Sequence, residues 1–175
     1  MDLYGGQGLA VLARMLLERL EMRSAGVRVF NAGSLVIIEH LRDHTAPATI
    51  EEYGVLLQRI AKRHGRVSVL NYYRNTLISP DQPALDKLAE LTLALDPLTI
   101  GTALVVSGES MESSLARTFV LGLTKSIKIR TAVACFASAA MALTWLRGLP
   151  QQDPVLQQII PEELEQFLSE ELKAA

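Results

Sequence analysis

Residues 27–41 read Val27-Arg28-Val29-Phe30-Asn31-Ala32-Gly33-Ser34-Leu35-Val36-Ile37-Ile38-Glu39-His40-Leu41, two apolar runs around a short Asn/Gly/Ser turn. The pattern predicts a β-hairpin, because asparagine and glycine tolerate the backbone of a tight turn and β-branched residues suit the strands on either side. The two strands are thus antiparallel. Past the polar loop around Asp43-His44-Thr45, the string Thr49-Ile50-Glu51-Glu52 has the form of a capping box, with Thr49 at N-cap and Glu52 at N3. Tyr53, Leu56, Leu57 and Ile60 then supply the buried stripe of a first helix ending near Gly65.

Further out, the units alternate. Arg66 to Tyr73 is rich in aromatic and β-branched residues and predicts a third strand. Ser79-Pro80-Asp81-Gln82 predicts a helix start, with serine at N-cap and proline at N1, and Leu85, Leu88, Leu91 and Leu95 form the core side of that second helix. Ile100 to Val106 is a strand of the type covered on both faces. A third helix from about Ser110 to Lys125 carries Met111, Leu115, Phe119 and Leu123 on one side. Ile127, Ile129, Thr131 and Val133 predict a last strand, and Ala139 to Leu146 a fourth helix.

Two appendages flank this core. Residues 7–22 place Leu9, Leu12, Leu16 and Leu20 at helical spacing, and Arg23-Ser24-Ala25-Gly26 separates them from the hairpin. Met22 is a second candidate start, which would make residues 1–21 an extension. Residues 149–160, with two prolines and four glutamines, read as a linker to a polar helix from Pro161, whose apolar side is Leu164, Phe167, Leu168 and Leu172. The expected division is residues 1–24, an amphipathic helix and linker; residues 25–148, an α/β domain; and residues 149–175, a linker and C-terminal helix.

Composition narrows the function. The chain has 175 residues, 49% hydrophobic and 21% charged, enough to bury a core in one domain. Seventeen basic against nineteen acidic residues give a net charge of -2, which argues against a nucleic-acid partner. The single cysteine, Cys135, allows no intramolecular disulfide, so a reducing, cytoplasmic setting is expected. The mean hydropathy is +0.22. The longest uncharged run, Thr131 to Leu146, is nevertheless shorter than the roughly 20 residues a membrane span needs, so no membrane insertion is expected.

Searches for chemistry yield little. His40, His44 and His64 match no metal-ligand spacing and read as solvated loop histidines, and Cys135 reads as core. No catalytic residue, metal ligand or cofactor is expected. Gly5-Gly6-Gln7-Gly8 lacks the preceding strand and the lysine of a phosphate loop. Ser107-Gly108-Glu109-Ser110 closes a strand and opens a helix, where backbone N–H groups can receive an anion; ordinary helix capping accounts for the serines equally well. Tyr72, Tyr73 and Arg74 form the most exposed-looking aromatic and cationic cluster, of the type favoured at binding hot spots.

The succession of an opening hairpin, alternating helices and strands and a closing strand–helix from Ile129 to Leu146 resembles the STAS fold, named for sulphate transporters and anti-sigma factor antagonists. The run Ala139-Ala140-Met141-Ala142-Leu143-Thr144-Trp145-Leu146 is similar to the small-residue, tryptophan-containing last helix of bacterial STAS-like proteins. The likeness covers roughly residues 27–147. It implies an α/β fold with a mainly parallel sheet and a non-enzymatic, regulatory role in binding a protein partner. Antagonists of that family carry a phosphorylatable serine in an aspartate-serine-(serine or threonine)-glycine string after the third strand. The matching stretch here, Ser79-Pro80-Asp81-Gln82, has proline and aspartate at the hydroxyl positions, so phospho-switching is not implied, and Asp81 leaves a fixed negative charge there.

The resulting expectation is a partner surface made of Asn71, Tyr72, Tyr73, Arg74, Ser79 and Asp81 with the adjoining second and third helices. The alternative is a carrier or sensor of a small apolar or anionic ligand, with Ser107, Gly108 and Ser110 as its anion-binding turn. Pairing between copies of the chain through the terminal helices is a further expectation, since each has an apolar stripe outside the predicted domain.

Overall fold

The computed structural model describes residues 20–24, 26–41, 45–74 and 80–170. Six strands form one mixed sheet in sequential order: β1 (Leu20–Ser24), β2 (Val27–Ala32), β3 (Leu35–His40), β4 (Val67–Tyr73), β5 (Thr99–Val106) and β6 (Ala132–Phe136). The pairs β1–β2 and β2–β3 are antiparallel and the other three are parallel. The chain is therefore α/β, its parallel half opened by the expected hairpin. The β2–β3 turn is Gly33-Ser34, and Gly33 has a φ of 59° with the Asp153 carboxylate 2.9 Å from where a Cβ would stand. Glycine fits there on both counts.

Helices α1 (Pro47–His64), α2 (Gln82–Leu95) and α3 (Met111–Ser126) link successive parallel strands. Right-handed crossovers stepping in one direction along a sheet leave all three on the same face. There α1 and α2 pack on Val36, Ile38, Val67 and Val69. Gly54 of α1 lets Leu91 of α2 approach to where a side chain would collide. The opposite face holds Phe30, Leu35, Ile37, Leu70, Tyr72 and Val105, under α4 (Ala139–Arg147), the one-turn helix α5 (Val155–Gln158) and α6 (Pro161–Glu170).

Several expectations are corrected. Leu20 to Ser24, read as a helix end and linker, is strand β1, which pairs with β2; hydrogen bonding to a neighbouring strand overrides a helical spacing of leucines. Residues 149–160 are not a linker: Leu156 and Ile159 are fully buried, the Asp153 carboxylate accepts from the Ser34 N–H at 3.1 Å, and Arg147 donates to the Leu156 carbonyl at 2.8 Å. Among the described residues, the apolar side of α6 is likewise covered by its own chain, through Leu164 and Leu168. Its Glu165 accepts from the Ala139 and Ala140 N–H groups at 2.5 and 3.1 Å, an acidic cap on α4. Helix α1 begins two residues before Thr49, which is buried in its first turn; Pro47 has the backbone angle of a helix start preset. Helix α2 starts at Gln82, and Asp81, expected in its first turn, is its cap, accepting from the Ala84 N–H at 2.9 Å. The run Ile127 to Thr131 joins no ladder, because the Asp96 carboxylate takes the Arg130 and Thr131 N–H groups. The expectations on residues 7–19, Gly5 to Gly8, His44, Ser79 and Leu172 lie outside the described residues.

Candidate functional site

Strands β3 and β4 run parallel, in a register that sets Glu39 beside Tyr72 and His40 beside Tyr73. Their polar C-terminal ends therefore lie together, where open α/β sheets place their sites. Alternation along each strand then divides the residues between the two faces.

Toward α6 go Glu39, Tyr72 and Arg74. Glu39 is fully buried, and it accepts from Arg28 Nε at 2.7 Å on β2 and from Arg74 after β4. Arg74 also donates to the Leu168 carbonyl of α6 at 3.2 Å. Phe30 meets Phe167 edge to face, with ring centroids 5.3 Å apart. The Tyr72 hydroxyl accepts from Ser107 Oγ at 3.0 Å, and burial raises its pKa above the ordinary tyrosine value. These groups tie three strands to the C-terminal helix. The expectation of an exposed Tyr-Tyr-Arg cluster is thus corrected: Tyr72 is 3% exposed and the Arg74 side chain 7%.

Toward α1 and α2 go His40, Asn71 and Tyr73. His40 is buried and is no solvated loop histidine; its ring stacks on Tyr73 at 4.4 Å and 9°, with Tyr53 of α1 edge-on at 6.4 Å. Its Nε2 meets Asn71 Oδ1 at 3.1 Å and its Nδ1 meets Thr45 Oγ1 at 3.4 Å. The amide oxygen only accepts, so Nε2 carries the proton and Nδ1 faces the threonine hydroxyl. Burial lowers the imidazole pKa to about 4, against the smaller opposing effect of Asn71. It is neutral at pH 7. Burial also raises the Tyr53 and Tyr73 phenols above their usual range.

This trio forms one end of a pocket of about 350 Å³. The pocket floor is Ile38, Val69, Leu104 and Val133 of the sheet, and its walls come from α1, α2 and α3 through Leu57, Leu88 and Val120. Asp96 and Thr131 line it as well. The Thr131 hydroxyl donates to the Asp96 carboxylate at 2.6 Å and holds its pKa below the ordinary value, aided by the Thr131 and Arg130 N–H groups. Among the described residues the lining includes no lysine or arginine. A mostly apolar concavity with a few convergent polar groups is the usual form of a small-molecule site.

Ser107, Gly108 and Ser110 are not among the residues that line this pocket. Ser110 Oγ caps α3 by accepting from the Ser113 N–H at 3.2 Å, and Ser113 Oγ donates to the Ser107 carbonyl at 3.0 Å. Arg117 donates to the Val106 and Gly108 carbonyls at 2.8 and 2.7 Å. The hydroxyls thus serve the turn itself. These bonds also set the rotation of α3: Ser113, Ala116 and Val120 face inward, and most of the apolar side read from the sequence lies outward, with Met111 77%, Leu115 62% and Phe119 49% exposed, while Leu123 lines the pocket.

Asp81 is exposed at the α2 cap; Pro80 and Gln82 beside it line the pocket with Tyr73. Of the residues expected to form a partner surface, Asn71 and Tyr73 line this pocket instead, while Tyr72 and Arg74 lie on the other face of the sheet. His40, Tyr53 and Thr45 were missed as site residues; the usable signal was a Glu-His pair ending an otherwise apolar strand. Cys135 is half-buried on β6, and burial raises its thiol pKa. Among the described residues no three His, Cys, Asp or Glu side chains group as metal ligands, and no helix is long and apolar enough to cross a membrane. Compared with models of protein families, with curated proteins and with solved structures, the chain matches none.

Proposed function

We propose that this chain is a non-enzymatic, STAS-like regulatory domain of the bacterial cytoplasm, and that it binds a small apolar molecule in the pocket between the parallel strands and helices α1 to α3. The observation that carries this reading is the pocket itself. A concavity of about 350 Å³ whose lining includes leucine, isoleucine and valine, with a hydrogen-bonding end, has the form of a small-molecule site. The His40 ring supports binding over turnover: its nitrogens face Asn71 and Thr45, and a pKa near 4 makes it a poor base at pH 7.

Titration with the uncharged fluorophore N-phenyl-1-naphthylamine tests the reading. Wild-type protein is expected to enhance its emission with one site per chain, and Ala89→Trp, which adds a ring to the lining on α2, to abolish the enhancement while keeping a cooperative thermal transition. Equal enhancement by both proteins, or none by either, counts against the pocket.

A second reading, a protein partner docking on α2 and α3, is favoured by the exposed Met111, Leu115 and Phe119, which recur every four residues along one helix face.

A further inference from the structure

Resting on the pocket reading, the charge and hydrogen-bonding pattern of the lining narrows the ligand class. At roughly 30 Å³ per water-sized atom, 350 Å³ takes about a dozen heavy atoms. The formal charges among the described lining residues are the carboxylates Asp86 and Asp96. Asp86 is exposed and accepts from Gln82 Nε2 at 2.7 Å. Asp96 accepts from the Thr131 hydroxyl and from two backbone N–H groups. An anionic head would find no cation among the described lining residues and two carboxylates, and an unpaired buried charge is strongly disfavoured. A cationic head would have to lie against Asp96, whose carboxylate already accepts from Thr131 and Arg130, or remain in solvent beside Asp86. His40 adds no positive charge at neutral pH.

An uncharged head meets none of these penalties. With Oδ1 engaged by His40, Asn71 offers its amide N–H groups, and Tyr73 on the same wall adds a phenol. A hydroxyl or carbonyl oxygen can accept from either. The leucine and valine walls suit an unbranched or lightly branched aliphatic body.

We propose that the pocket takes an uncharged medium-chain amphiphile, an aliphatic alcohol or ketone of about ten carbons, with its oxygen at Asn71 and Tyr73 and its chain along Val69 and Leu104, and that it discriminates against the corresponding carboxylate.

The test uses one wild-type protein and three probes of equal length at pH 7.5: 1-decanol, decanoate and decylammonium, each competing with bound N-phenyl-1-naphthylamine below its micellar concentration. Decanol is expected to displace the fluorophore at a concentration at least tenfold below either ion. Displacement by decanoate within threefold of decanol overturns the charge discrimination and leaves the pocket reading standing, as does a preference for decylammonium. Binding of the fluorophore without displacement by any probe overturns the ligand class alone. Failure of the fluorophore and all three probes to bind overturns the pocket reading with it. In a second arm, Asn71→Leu is expected to weaken decanol at least fivefold more than it weakens the fluorophore, with a cooperative thermal transition showing that the fold survives. Unchanged decanol affinity with retained fluorophore binding removes Asn71 from the head site.

Discussion

His40 shows how one side chain reports its surroundings. Tyr73 stacks on one face of the ring, Tyr53 stands edge-on to it, and Asn71 and Thr45 face its nitrogens. Its folded-state pKa near 4 lies below the 6.5 of an unperturbed histidine, so between those pH values the unfolded chain takes up a proton that the folded chain does not. The contribution of His40 is therefore complete above about pH 6.5 and falls as the pH drops toward 4, by about 3 kcal/mol in all. Urea unfolding of wild type and His40→Gln at pH 7.5 and pH 4.5 measures this directly. The stability difference between the two proteins is expected to move by about 2–3 kcal/mol in favour of the variant at the lower pH. A difference independent of pH would mean the imidazole is not held neutral.

The C-terminal helices show how an element becomes part of a core. Leu156, Ile159, Leu164 and Leu168 are fully buried against the face that carries Phe30, Leu35 and Tyr72, and Arg74 and Glu165 bond across the same junction. A chain ending at residue 148 is expected to lose its cooperative thermal transition and to bind a hydrophobic dye, because one face of the sheet loses its cover. Leu164→Ala in the full chain is expected to cost about 2–5 kcal/mol, the usual range for emptying a leucine site in a core. A truncated chain that melts cooperatively near the wild-type temperature would restore residues 149–175 to an appendage.

For the whole molecule, the sheet divides the labour: α4 to α6 close one face, and α1 to α3 leave a pocket on the other. Helix α3 adds an outward apolar stripe next to that pocket. If proteins dock there, the double variant Leu115→Lys, Phe119→Lys is expected to keep the wild-type melting temperature within about 2 °C, since exposed substitutions change stability by about 0.5 kcal/mol or less, and to lose the partner that wild type retains in a pull-down. Retention of every partner by the variant removes this face from consideration. The sequence alone determined the alternation of units, the Gly33 hairpin and the ends of α3 and α4, because turn chemistry, capping and hydrophobic period act over a few neighbouring residues. Only the tertiary structure decided that β1 joins the sheet, which side of α3 faces inward, that Tyr73 and Arg74 lie on opposite faces, and that His40 meets both Asn71 and Tyr73. Each of those depends on register between strands or on bonds between residues far apart in the chain, and no local pattern carries that information.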